Sequence, residues 1–370
     1  MDKLVQDYQS FITNKYSVLF LLYFIHLKFF TQIVLDISST FMDIALYLFL
    51  LLGVNYRRVK LSFFVLVPIV FVCILNPAAT NVFVILISTY IVAQLPFRTV
   101  LFHNLCAQII VFLLSTACLY LGISEITMMD ATLLDARVRY DYGMGNPNTF
   151  ALFVYSFFIN LYLYKGKDSK IWLLLIAFTA WKVFSYTGSR TFLISVVLLL
   201  LCCGIRKLCE SWPRLFKFGL IATPILTYGF IFYFTLNFTA YPEMNILFSG
   251  RLDFYDSLLS SVSLKDYLFG TELINEITID STYLHILFEG GILSLLIFFL
   301  LYTNLIIKID SKDLAIIFPV LMSVLMFGLT ESVLNFVLIY GNMIIWVLMY
   351  NVYIKGETEL TYNRITQHYD

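Results

Sequence analysis

Charge is scarce in this chain. Of 370 residues, 13% are charged and 60% are hydrophobic, and the mean hydropathy is +0.86. A soluble domain of this size carries about twice as much charge. The shortage excludes an ordinary soluble globule and points to a polytopic membrane protein. Net charge of either sign is also missing, because 24 basic residues face 24 acidic ones. No bias toward nucleic acid or an acidic partner follows. Metal-ligand spacing is absent too. The four histidines are scattered, and none of the six cysteines stands in a CxxC pair. Cys73, Cys106, Cys118, Cys202, Cys203 and Cys209 read as small apolar fillers, and no metal or cofactor is expected. A cleavable leader is not expected either. The apolar run 16–35 is too long for a signal h-region and no A-x-A site follows it. It reads as an uncleaved first span, broken by His26 and Lys28. There is no internal repeat, low-complexity tract or soluble domain.

Apolar runs fill the space that charge leaves. A span needs about 20 apolar residues. Twelve are read, at about 16–35, 39–55, 61–76, 80–96, 100–122, 149–164, 171–187, 191–205, 218–236, 283–307, 314–330 and 336–354. The expected fold is all-α: one integral membrane domain of about twelve transmembrane helices, with the bilayer as solvent. Lys28 and Asp43 are placed to pair between the first two spans.

Basic residues in short loops set the orientation. With the N-terminus inside, 17 of the 24 basic residues lie on the cytoplasmic side, 5 lie outside, and Lys28 and Lys182 fall within spans. The long polar stretch 237–282 then becomes an outer loop before the tenth helix. Loops of that length are functional or disordered, and this one is rich in Tyr, Phe and Leu, which favours order. Within it, Leu252, Tyr255, Leu258, Leu259 and Val262 share one helical face. Other outer segments are 123–148, the link Tyr186-Thr-Gly-Ser-Arg-Thr191, and Thr330-Glu-Ser332.

Polar clusters mark the outer helix starts, where unpaired N–H groups and the helix dipole favour anions. Asn146-Pro-Asn148 opens the sixth span. Gly188-Ser-Arg190 opens the eighth, with Ser189 as its N-cap. Asp280-Ser-Thr282 opens the tenth, and Ser249-Gly-Arg251 opens the loop helix. Capped helix starts beside an arginine suit phosphate, which Arg190 and Arg251 would grip with bidentate forks. Asp280 either caps the tenth span or, like His285 and Glu289 below it, accepts a proton from a substrate hydroxyl. His285 and Glu289 are four apart and share a face. Lys182 lies two turns before Arg190 and would reach the outer cavity by snorkelling. Gly290-Gly291 would allow close helix approach.

In order, Gly143-Met-Gly-Asn-Pro-Asn-Thr-Phe150, Thr187-Gly-Ser-Arg-Thr191, Ser249-Gly-Arg251 and Asp280-Ser-Thr-Tyr-Leu-x4-Glu-x-Gly291 resemble motifs of bacterial O-antigen and capsular polysaccharide polymerases of the Wzy type, relatives of the O-antigen ligases. The resemblance covers about 140–291. It implies a GT-C-like fold in the bacterial cytoplasmic membrane. It implies inverting, metal-independent transfer on the outer face from an undecaprenyl-diphosphate-linked oligosaccharide, beside a flippase and a chain-length regulator. Arg190 and Arg251 would hold the diphosphate and Asp280 would act beside them. Asn146, Asn148, Ser189, Lys182, Tyr283, His285 and Glu289 would line the substrate. Ligases carry a His where this chain has Asp280, which favours polymerase. The rivals are an O-antigen ligase and, from another class, a flippase or exporter of lipid-linked sugars. An exporter would place charges at the midplane of paired repeats, whereas these charges cluster at one rim.

Overall fold

A computed structural model describes residues 2–37, 42–46, 72–129, 138–165, 169–277, 279–334 and 343–355. Helix dominates them, because a helix satisfies its own backbone where no water can. In chain order the helices are α1 (Asp2–Phe29, continued by a π turn Phe30–Val34), α2 (Thr80–Val92), α3 (Phe97–Tyr120), α4 (Pro147–Tyr164), α5 (Lys170–Thr187), α6 (Arg190–Gly204), α7 (Arg206–Ser211) and α8 (Pro213–Leu236). They continue with α9 (Pro242–Leu247), α10 (Arg251–Ser261), α11 (Leu264–Phe269), α12 (Thr282–Lys308), α13 (Ser311–Phe327) and α14 (Ile344–Lys355). Among the described residues the strands are one two-residue antiparallel pair, β1 (Met128–Met129) and β2 (Arg139–Tyr140).

Lys15–Val34, α3, α8 and α12 are long and apolar enough to cross a membrane, and α6 is a shorter apolar helix. The chain is an all-α membrane protein. Helices stand at each of the spans expected from 80 to 330. Most of 39–55 and 61–76, and the first part of 336–354, lie outside the described residues.

Water does not drive these helices together, so close approach and buried polar contacts hold them. The Tyr155 and Ser323 hydroxyls meet at 2.6 Å, and Ser323 donates to the Ser195 carbonyl at 2.7 Å, which ties α4, α13 and α6. Between α3 and α4, Gln108 donates to Ser156 and accepts from Asn160, each at 2.9 Å. Lys28 and Asp43 pair at 2.8 Å as their positions suggest. Lys217 on α8 donates to the Ile307 and Ile309 carbonyls, at the end of α12 where a cation is favoured.

The loop 237–282 is ordered by α9, α10 and α11. Leu252, Tyr255 and Leu258 are fully buried, so the apolar stripe of α10 faces the bundle. α11 lies against α12 where that helix breaks at Gly291 (φ 69, ψ −174). Only glycine is at home there, and a Cβ would meet the Leu268 carbonyl oxygen at 2.2 Å. The break releases carbonyls that the loop and Asn76 then satisfy. Phe288 O accepts from Thr271 N at 2.7 Å, and Glu289 O accepts from Asn76 Nδ2 at 3.1 Å. Asn76 also donates to Phe269 O at 3.2 Å and caps the 3-10 turn before α2. One amide thus joins the loop, the break and the front of the chain.

Candidate functional site

The loop helix α10 presents Arg251. The turn before it runs through Ser249 (φ 57) and Gly250 (φ 80). A left-handed non-glycine such as Ser249 is uncommon and marks a held conformation. Asn245 holds the turn, accepting from Leu252 N at 3.1 Å and donating to Asp253 at 2.9 Å. With its apolar stripe locked below, α10 aims Arg251 at two carboxylates. Nε donates to Asp280 Oδ2 at 2.6 Å and Nη2 to Glu331 Oε1 at 3.0 Å.

Both acids come from segments laced to each other. Ser332 Oγ donates to the Ile279 and Asp280 carbonyls, Thr282 Oγ1 donates to Glu331 O at 2.8 Å, and Thr282 N donates to Gly328 O at 3.0 Å. A third segment joins through Thr191 and Thr330, whose hydroxyls meet at 2.6 Å. The starts of α6, α10 and α12 and the end of α13 therefore converge at one end of the bundle. Asp280 is the wettest of the three charged groups, with its side chain 31% exposed against 15% for Arg251 and 12% for Glu331.

Burial pushes the Glu331 carboxyl up to about 7, with the Asp280 charge adding to the rise and Arg251 and Arg139 opposing it. Desolvation works against the Arg251 charge, but Glu331 and Asp280 more than offset it and raise its pKa. Burial also pushes the Tyr255 hydroxyl up, against the pull of Arg251. The Tyr255 hydroxyl is buried beside these charges and next to the Ser281 backbone, and Ser281 Oγ is buried with no hydrogen-bond partner among the described residues. The site thus offers one guanidinium, one acid that changes protonation near neutrality, and a buried serine hydroxyl with unused capacity.

A second arginine adjoins it. Arg139 Nε donates to Thr187 O at 2.6 Å and Nη2 donates to Asn148 Oδ1 at 2.5 Å. It packs closely on Gly188: a Cβ there would stand 3.2 Å from Arg139 Cγ, so the arginine would have to shift by a few tenths of an ångström. Asp141 steadies the same loop, accepting from Thr127 N at 2.9 Å and Gly143 N at 3.0 Å. Asn146 caps α4 by accepting from Asn148 N at 2.8 Å, as expected.

Several expected placements change. Ser189 is the residue before α6, but its side chain makes no capping bond and is buried. Ser281, not Asp280, holds the cap position of α12, so Asp280 is free to take Arg251. Lys182 does not turn toward the cluster. Its Nζ lies 5.9 Å from the Phe178 ring on the exposed face of α5, one turn away from its own backbone. Tyr283 is buried and its hydroxyl is taken by Leu325 O at 2.8 Å, while its carbonyl accepts from Tyr228 at 2.5 Å. It supports the bundle. His285 and Glu289 bond each other at 3.2 Å within α12, both buried. Arg190 starts α6 with an exposed side chain, beside the Thr191 that reaches Thr330.

Two site residues, Glu331 and Arg139, escape a reading by helix starts, because neither stands at one. The available signal for Glu331 was a lone acid at the mouth of an apolar run, where charge is expensive. For Arg139 it was the scarcity of outer arginines. Comparison with protein-family models, with curated proteins and with solved structures returns no match for this chain.

Proposed function

We propose that this protein polymerises undecaprenyl-diphosphate-linked oligosaccharide repeats into surface polysaccharide. The reading places it in the bacterial cytoplasmic membrane as a twelve-span, GT-C-like transferase with its active site on the outer face. The observation that carries it is the Arg251 fork held between Asp280 and Glu331, at the end of the bundle where α6, α10 and α12 begin.

Each group then has a task. Two carboxylate bonds use two of the five N–H donors of Arg251, and Asp280 fixes the plane of the guanidinium. The remaining donors, with Arg139 and Arg190, receive the donor's diphosphate. The acceptor hydroxyl attacks the anomeric carbon from the face opposite the diphosphate. Its proton passes to Glu331, whose elevated pKa of about 7 suits a base at neutral pH. The anomeric C–O bond breaks and its electron pair leaves on the diphosphate oxygen. Charge grows on that oxygen as the bond stretches, so arginines fixed beforehand stabilise the transition state more than the ground state. The configuration inverts.

Gene deletion tests the class of function. Loss of a polymerase leaves single repeats on surface lipid. Loss of a ligase leaves unattached polymer, and loss of an exporter leaves nothing outside.

A further inference from the structure

A groove of about 650 Å³ runs between α3, α4 and α5, away from the charged cluster. Its floor is apolar, with Phe158 and Ile176 almost fully buried. The amide of Gln108 in its wall is already bonded to Ser156 and Asn160, and between the ends the rest of the lining is apolar apart from Cys106 and Thr179. On α3 the lining runs from Phe102 to Phe112. At 1.5 Å per residue that is about 15 Å, half of a hydrocarbon core of about 30 Å. The groove therefore has the depth of one leaflet.

Its end is charged. Tyr164 and Lys165 line it there, and two cations sit on the one Tyr164 ring. Arg98 Cζ lies 5.7 Å and Lys165 Nζ 5.4 Å from its centroid. Trp172 completes the rim, the kind of amphipathic ring that settles at headgroup level. This is the end where α4 finishes. Its beginning, at Pro147, is beside Asn148 and Arg139. The groove thus opens in the leaflet opposite the Arg251 cluster.

We propose that this groove binds one acyl chain of an anionic phospholipid, with the phosphate between Arg98 and Lys165. Charge complementarity at the rim and single-leaflet depth select that occupant. A polyprenyl donor whose diphosphate sits at Arg251 enters from the other leaflet and would have to cross the whole thickness. Phospholipid binding needs only that these helices cross a bilayer; the exclusion of a polyprenyl occupant alone rests on the glycosyl-transfer reading.

The test is native mass spectrometry of the purified full chain, offered equal phosphatidylglycerol and phosphatidylethanolamine. Two basic residues at about 1 kcal/mol each give a preference of about thirtyfold for phosphatidylglycerol. In Arg98→Gln/Lys165→Gln that preference should fall to about one. Ile109 lines the groove and is 46% exposed, so Ile109→Trp fills the groove rather than the core and should lose the retained lipid. Equal retention of both lipids by the unaltered protein overturns the proposal. So does unchanged retention in Ile109→Trp, retention of polyprenyl phosphate in place of phospholipid, or a dimer that Ile109→Trp splits. Because the paired Gln variant alters exposed positions, it keeps the test decisive if the Trp variant fails to fold.

Discussion

Arg251 and Asp280 lie 29 residues apart and meet at 2.6 Å, with Nε donating to Oδ2. The contact settles the role of Asp280 in the fold. It does not cap α12; it fixes the orientation of an arginine. The expected consequence is coupling. Asp280→Asn and Arg251→Gln, measured singly and together by thermal unfolding, should interact by about 1 kcal/mol or more, as residues of one ion-pair network do. Additive effects would mean the contact carries no energy of its own.

Glu331 should give the protein two opposite pH trends. In the folded chain its carboxyl binds a proton up to about pH 7, whereas its ordinary value is 4.5. Between those values the folded state holds more protons than the unfolded one, so stability falls as pH rises through that window. Transfer needs the ionised form, so its rate should rise with pH and level off above about 7. Glu331→Gln should flatten the stability trend and remove the rising limb of the rate profile. A pH–rate profile unchanged by that substitution would take Glu331 out of proton transfer.

Gly291→Ala should be among the most damaging single changes outside the site. The added methyl meets the Leu268 carbonyl oxygen at 2.2 Å, in a backbone conformation that strains any other residue. Substitution where φ is positive and the space is filled destabilises by more than about 1 kcal/mol. The check is the unfolding temperature in detergent. An unchanged value would mean that α11 and α12 do not approach as described.

Arg139 and Lys182 should behave in opposite ways. Arg139 makes its two hydrogen bonds from two separate nitrogens of a planar fork, Nε and Nη2, a spacing that a single ammonium point does not match. Arg139→Lys should therefore lose most polymer, seen on a gel of surface polysaccharide. Lys182→Gln, on the exposed face of α5, should keep it. The reverse pattern would put the wrong side of α5 in the site.

Much of this was legible in the sequence, for reasons tied to particular residues. Apolar runs give helices, because a bilayer allows little else. Leu252, Tyr255 and Leu258 give α10 because their spacing buries one face. Asn146 and Asn76 both carry a cap, and each is followed by proline at the first turn of an apolar run; the reading took up Asn146 and passed over Asn76. The pairing of Arg251 with Asp280 was not legible. Both stood on the outer side, yet no local pattern measures the distance between two loops. Glu331 was hidden for the same reason, since it reaches Arg251 from 80 residues away. Lys182 misled because snorkelling gives a reach but no direction. The side of the helix it occupies is decided by how α5 packs.

The most direct measurement is polymerisation by the purified chain in lipid, supplied with undecaprenyl-diphosphate-linked repeat and read as a ladder on a gel. Arg251→Lys keeps the charge but not the planar fork that holds Asp280 and Glu331 together. The account expects a ladder from the unaltered protein and single repeats from Arg251→Lys at equal protein and equal unfolding temperature. A ladder of full length from Arg251→Lys, or none from the folded unaltered protein, would contradict it.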